Sequence, residues 1–362
     1  MKRILIIKPS SLGDVLHAFP AVHWIMETWK KKFPGEEILL DWVIAPAFQE
    51  LLDFLPFPGE KILFDRKKLG SVRTFPKEFF SLLKALRKGG KYDAVYDLQG
   101  LLRSSLIGTL APSPLHFGSS SPREKFSLLF YSHKLDPGAY HTHAVEKLLH
   151  MVSGGTGEKK EDFVLPLHDA FRERALEKAE KNGLPALAEL SKRKKLIAVT
   201  PGARWESKEW PGSFFAEVCK LLYSSDPETV FMILGSSNEK EKGEEIRQLL
   251  GGIPCCNLCG TTTIGELAEL IRYSSCLLSN DSGPMHIAAF TGTPVAALFG
   301  PTDPVLTGPW CRKKRILQGH LPCLPCFKRV CPENLECQKA VTPRQAADAV
   351  KELLSLHGNG TI

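Results

Sequence analysis

No uninterrupted apolar run among the 362 residues is long enough to span a bilayer. The first residues, Met1-Lys2-Arg3-Ile4-Leu5-Ile6-Ile7, begin like a signal peptide. Lys8-Pro9 and Asp14 then break the run, and no small-residue cleavage site follows cleanly. A buried first strand is the better reading. Cysteine is absent before Cys219, and ten cysteines in a chain of this length do not make a secreted disulfide scaffold. The expected compartment is the cytoplasm. Also missing are Gly-x-Gly-x-x-Gly, a Walker A loop, His-Glu-x-x-His and Gly-x-Ser-x-Gly. Those absences weigh against a dinucleotide oxidoreductase, a P-loop ATPase, a zinc protease and a serine hydrolase. There is no Asp-x-Asp pair of the kind that holds a metal against a nucleotide.

Charge of one sign is only mildly in excess, at +7. Basic clusters stand at Lys30–Lys32, Arg66–Lys68 and Lys192–Lys195. Such runs usually mark solvated surface, which is the favoured reading of the first and third. Together they could favour an anionic substrate or a membrane surface. Nucleic acid is not expected, because no recognition motif or interleaved aromatic-basic pattern accompanies the charge.

With 43% hydrophobic residues, the composition is that of an ordinary globular protein, and the length suggests two domains. Strand-like runs alternate with helix-like runs. Strands are expected at 4–8, 38–44, 61–64 and 94–98, and again at 196–200, 229–234, 276–279 and 295–299. Helices fill the intervals, near 15–32, 48–55, 76–88 and 101–110, then 170–181, 213–223, 239–250, 264–272 and 285–291. This alternation predicts an α/β fold with mostly parallel sheets covered by helices. A glycine-rich, charged stretch at 154–160 reads as a loop between the halves. The boundary is expected between residues 165 and 195. An amphipathic helix is expected at 343–356.

Three stretches carry candidate chemistry. Asp14 follows the first strand in Lys8-Pro9-Ser10-Ser11-Leu12-Gly13-Asp14-Val15-Leu16-His17. A carboxylate there is either a helix cap or a general base at the carboxyl end of the sheet, where α/β proteins bind ligands. Lys208 lies between a strand and a helix, in Gly202-Ala203-Arg204-Trp205-Glu206-Ser207-Lys208-Glu209-Trp210-Pro211. It is either a surface loop lysine or a point charge for a phosphate. Residues 279–304 form a strand, then a turn with Asp281, Ser282 and Gly283, then a helix carrying His286. A helix N-terminus at a strand end is either ordinary α/β architecture or a seat for phosphate. Four thiols stand at Cys323, Cys326, Cys331 and Cys337. They are either a structural zinc or iron–sulfur site, or free thiols or a redox-sensitive pair; the spacing matches no standard cluster.

Taken in order, these blocks resemble the lipopolysaccharide heptosyltransferases, glycosyltransferase family 9. The matching pieces are Lys8 through His17, Asp97-Leu98-Gln99-Gly100-Leu101-Leu102-Arg103-Ser104, the Gly202 to Pro211 loop, and Asn280 through Pro304. Arg123-Glu124-Lys125 and His143-Ala144-Val145-Glu146 look most like the heptosyltransferase I branch, which adds the first heptose to Kdo. The resemblance implies a GT-B architecture, two Rossmann-like domains facing a cleft. It implies an acceptor domain at 1–170, a nucleotide-sugar domain at 171–340, and a final helix at 341–362 returning to the N-terminal domain. By the same resemblance Asp14 is the catalytic base. ADP-heptose is the donor, held by Ala203, Arg204, Lys208, Asp281, Ser282, Gly283 and His286. Ala203 and Arg204 depart from the branch, which often has hydroxyl residues there. Lys8, Arg66, Arg123 and His143 receive the anionic acceptor, Kdo-lipid A, at the inner-membrane surface, with Arg66 in the poorest-matching surroundings. No cofactor or metal is implied. The rivals are heptosyltransferase II or III, another family-9 transferase, a nucleotide-sugar-binding protein, and a GT-B epimerase.

Overall fold

The structure is a computed structural model. It describes residues 1–157, 163–184, 187–193, 195–332 and 334–356. Glu158–Lys160 of the glycine-rich stretch and Lys194 of the third basic cluster lie outside the described residues. The chain divides into two compact units, Met1–Lys160 and Glu161–Ile362.

In the first unit, six parallel strands run in the order β3-β2-β1-β4-β5-β6. They are β1 Lys2–Ile7, β2 Ile38–Ile44, β3 Lys61–Leu63, β4 Ala94–Asp97, β5 His116–Ser119 and β6 His133–Leu135. Ile4 to Ile7 of the central strand are wholly buried, as expected of a parallel strand covered on both faces. One side of this sheet packs Leu5, Ile7, Val43 and Val95 against Leu82, Leu86 and Ile107. The helix Leu12–Lys32 ends in Lys30, Lys31 and Lys32. Cations there complement the partial negative charge of a helix C-terminus, so the first basic cluster has a local explanation.

The second unit repeats the plan, with strand order β12-β11-β10-β7-β8-β9. The strands are β7 Leu196–Thr200, β8 Val230–Ile233, β9 Cys255–Asn257, β10 Cys276–Asn280, β11 Val295–Phe299 and β12 Lys314–Gln318. β7, β10 and β11 are buried along their whole length. Burial pushes the thiols of Cys259 and Cys276 up to about 12, which leaves them small, inert core residues. Lys195 of the third basic cluster pairs with Asp226.

Two observations bear on the domain layout. The division falls earlier than residues 165–195. Leu165 already bonds through its N–H to the Phe290 carbonyl, at 2.7 Å, within the second unit. The apolar face of the final helix, Pro343–Leu356, packs within the second unit. Its Ala346, Ala347, Val350 and Leu353 are buried in the second unit's core with Phe215, Val218 and Leu298. Arg315 of β12 also pairs with Glu352 on that helix. The helix's amphipathic stripe is therefore spent on its own unit.

Candidate active site

In the first unit the candidate residues gather at the carboxyl ends of β1 and β4. Asp14 lies in the first turn of the helix that follows β1. Its Oδ2 accepts from both the N–H and the hydroxyl of Ser11, each at 2.8 Å. The cap reading of Asp14 is met, and the cap fixes the position of its carboxylate.

Lys8, expected to touch acceptor, is buried, and its Nζ donates to the Leu98 carbonyl at 2.8 Å. Burial holds its pKa below the usual lysine range and Arg123 adds to that, while Asp14 and Asp97 oppose it. Lys8 is thus buried within electrostatic reach of two carboxylates. His143 caps the helix Ala144–Ser153, its Nδ1 accepting from the Val145 N–H at 3.2 Å. Acceptance at Nδ1 puts the ring proton on Nε2. Its ring meets that of buried His17 edge-on, with centres 5.3 Å apart.

Arg123 is exposed. Its loop is docked on Gly100: the Glu124 N–H donates to the Gly100 carbonyl at 3.2 Å, and Glu124 Oε2 accepts from Leu102 N–H at 2.7 Å. Gly100 has φ +69°, a conformation that disfavours any side chain. Arg66 is exposed on a short helix and lowers the pKa of Arg103, second to burial. Arg66 and Arg103 are therefore neighbours, and Arg103 joins the basic group that the sequence reading had confined to Lys8, Arg66, Arg123 and His143.

Asp97 organises the turn beneath them. Its Oδ1 accepts from the Gln99 and Gly100 N–H groups, at 2.9 and 3.1 Å. Its Oδ2 accepts from the Ser104 and Tyr131 hydroxyls, both at 2.8 Å. Burial still raises its pKa above the usual carboxylate range, and these donors only oppose the rise. The Asp-x-Gln-Gly spacing is the signal in the sequence. Ser104 is seven residues from Asp97, but Tyr131 comes from another segment and gave none.

In the second unit the site forms where β7 and β10 end. Lys208 Nζ meets Asp281 Oδ2 at 2.5 Å, and the Thr302 hydroxyl donates to the same oxygen at 2.5 Å. Asn280 bolts the two loops together. Its Oδ1 accepts from the Trp210 N–H at 3.1 Å, and its Nδ2 donates to the Pro201 carbonyl at 2.8 Å. Asn280 is completely buried, and its side-chain oxygen and nitrogen each have a partner.

Ser282 precedes the helix Gly283–Thr291, which places Gly283 at its first turn, and His286 is buried on the same turn. The helix closes on Gly292, φ +79°. The structure thus brings Lys208, Asp281, Ser282, Gly283 and His286 to one helix N-terminus. Ala203 and Arg204 contribute less. The Ala203 N–H is engaged by Glu209 at 3.1 Å, and Arg204 is exposed. Lys208 also lies 4.9 Å from the centre of the Trp205 ring, a contact the motif did not announce.

Of the four cysteines near the C-terminus, Cys323 is exposed and Cys337 buried. Among the described residues no group of three or more His, Cys, Asp and Glu side chains is arranged to hold a metal. Nor is any helix among them long and apolar enough to cross a membrane.

Comparison with known proteins follows the same line. Residues 79–336 match the family model for glycosyltransferase family 9 (heptosyltransferase). A lipooligosaccharide heptosyltransferase 2 from Campylobacter jejuni is 30% identical, over 97% of this chain and 99% of its own length. A lipopolysaccharide heptosyltransferase 1 from Pseudomonas aeruginosa is 27% identical, over 91% and 87%. The fold matches that of the Escherichia coli heptosyltransferase WaaC with ADP, at a TM-score of 0.75 and 23% identity, covering 97% of this chain and 99% of that one. The paired parallel sheets are those of the GT-B fold, and the chain belongs to glycosyltransferase family 9, the heptosyltransferases of lipopolysaccharide core synthesis.

Proposed function

We propose that the protein transfers heptose from ADP-heptose to a Kdo residue of Kdo-lipid A, with inversion at the anomeric carbon. The observation that carries the reading is the Lys208–Asp281–Thr302 cluster at a helix N-terminus. A cation beside the N-terminus of a helix suits the diphosphate of a nucleotide sugar. A carboxylate repels phosphate, so Asp281 serves by aiming Lys208 and by accepting from sugar hydroxyls.

In the reaction, the acceptor hydroxyl oxygen attacks the anomeric carbon. The bond from that carbon to the ADP oxygen breaks, and ADP leaves with the electron pair. Asp14 takes the hydroxyl proton. Lys208 and the helix N–H groups near Ser282 and Gly283 stabilise charge building on ADP, a kind of preorganised stabilisation worth several kcal/mol. With that charge met by protein groups, no divalent ion and no cofactor is needed. On the acceptor side, Arg66, Arg103 and Arg123 supply exposed or partly exposed positive charge. That charge suits the Kdo carboxylate and an anionic inner-membrane surface on the cytoplasmic side, held peripherally and released by salt.

A second reading has a specific observation behind it. The 30% identical relative carries the name heptosyltransferase 2, which favours an acceptor already bearing one heptose. Incubation with ADP-heptose and either Kdo-lipid A or its heptosylated form decides between them. Product from Kdo-lipid A supports the first reading. Product from the heptosylated form alone supports the second, and product from neither overturns both. Release of free sugar or epimer without acceptor identifies an epimerase or hydrolase instead.

A further inference from the structure

The cysteine-rich segment, Cys323 to Cys337, takes no part in the reaction as proposed, yet it is fastened to the Lys208 loop. The Ser207 hydroxyl donates to the Lys328 carbonyl at 2.8 Å, and Gln338 Nε2 donates to the Ser207 carbonyl. The Phe327 N–H donates to the Pro301 carbonyl at 2.8 Å, one residue before Thr302. Between these anchors the Arg329 guanidinium lies 5.0 Å from the centre of the Trp205 ring. Lys208 Nζ lies 4.9 Å from the same ring centre. Two cations therefore share one aromatic residue and stand no further apart than those two distances together allow.

Their partners differ. Lys208 is matched by Asp281. Arg329 is exposed and makes no ion pair among the described residues. A second cation on the same ring, without a carboxylate partner among the described residues, adds positive charge at this end of the Lys208 loop. We propose that Arg329 is a donor-binding residue, its guanidinium contacting the diphosphate of the nucleotide sugar alongside Lys208. The cysteine-rich segment is the scaffold that delivers it. The planar guanidinium donates two parallel hydrogen bonds to phosphate oxygens, which suits it to this ligand better than a lysine. This inference rests on the donor reading of the Lys208 cluster.

The test is calorimetric titration of the full chain with ADP. The set is wild type, Arg329→Ala, Arg329→Gln, Arg329→Lys and Lys208→Ala, with Lys220→Ala as a charge control on the exposed face of another helix. Arg329→Ala and Arg329→Gln are expected to weaken ADP by about tenfold, the scale of one hydrogen bond to a charged group. Arg329→Lys should recover part of the loss, and Lys220→Ala should bind as wild type does. Wild-type affinity in Arg329→Ala, with Lys208→Ala impaired, overturns this inference and leaves the donor reading standing. Wild-type affinity in Arg329→Gln also overturns it, because the role is then packing and not charge. Failure of the wild type to bind ADP removes the donor reading and this inference together.

Discussion

Replacing Lys208 by Met separates two roles that one ion pair combines. Asp281 is 4% exposed, and Lys208 and the Thr302 hydroxyl meet the same carboxylate oxygen. Removing one partner of a fully buried pair costs about 3–5 kcal/mol. Lys208 keeps 16% of its side chain exposed, so water screens part of the interaction. The expected stability loss is therefore smaller, about 1–3 kcal/mol. The binding loss has a different origin. A hydrogen bond from a cation to phosphate contributes about 1.5–3 kcal/mol, roughly 10- to 150-fold in Kd. The second change, Asp281→Asn, removes the orphaned charge. The Lys208→Met/Asp281→Asn variant should regain most of the lost stability in urea denaturation. It should still bind ADP 10-fold or more weakly by calorimetry, on the same estimate. A double variant as unstable as the single one, binding ADP like wild type, refutes the reasoning. It would mean that the pair is structural and that the donor sits elsewhere.

Asp14→Asn keeps an oxygen for the Ser11 cap but no basic carboxylate; turnover should fall by about 10²–10⁴ with the melting temperature little changed, and near-normal kcat would reject Asp14 as base. Tyr131→Phe removes one of the two hydroxyls on Asp97 Oδ2 and should cost about 1–3 kcal/mol in denaturation, with no loss expected only if that bond is absent. Burial lowers the His116 pKa to about 4 from 6.5. Between those values the unfolded chain binds the proton and the folded chain does not, so stability is full above pH 6.5 and lost as pH falls toward 4, by about 3 kcal/mol at most. His116→Gln should flatten that dependence, and an equal acid loss in both proteins would place its origin in other groups.

How much of this was readable from the chain depended on where each element stands. β2, β7 and β11 are buried on both faces, so their apolar runs named them almost to the residue. β5, β6, β9 and β12 lie toward or at the sheet edges. They read His-Phe-Gly-Ser, His-Lys-Leu, Cys-Cys-Asn and Lys-Arg-Ile-Leu-Gln, short and polar because an edge strand buries little, and no strand was expected there. The final helix was read correctly as amphipathic, but an apolar stripe does not say which core receives it. Asp14 and Lys208 could be singled out as candidates because each sits at a strand-to-helix turn inside a compact motif. The hydrogen bonds of Asn280 and Tyr131 were not legible, because they pair residues far apart in the chain. The Ser207–Lys328 bond that anchors the Arg329 segment joins residues 121 apart.

The most direct test of the account is sugar transfer itself, followed by mass spectrometry and anomeric NMR of the product. Purified protein, ADP-heptose and Kdo-lipid A, with chelator present, are expected to yield one added heptose with inverted anomeric configuration and one ADP released per sugar. Retention of configuration, or activity that vanishes in chelator and returns with Mg²⁺ or Mn²⁺, would contradict it.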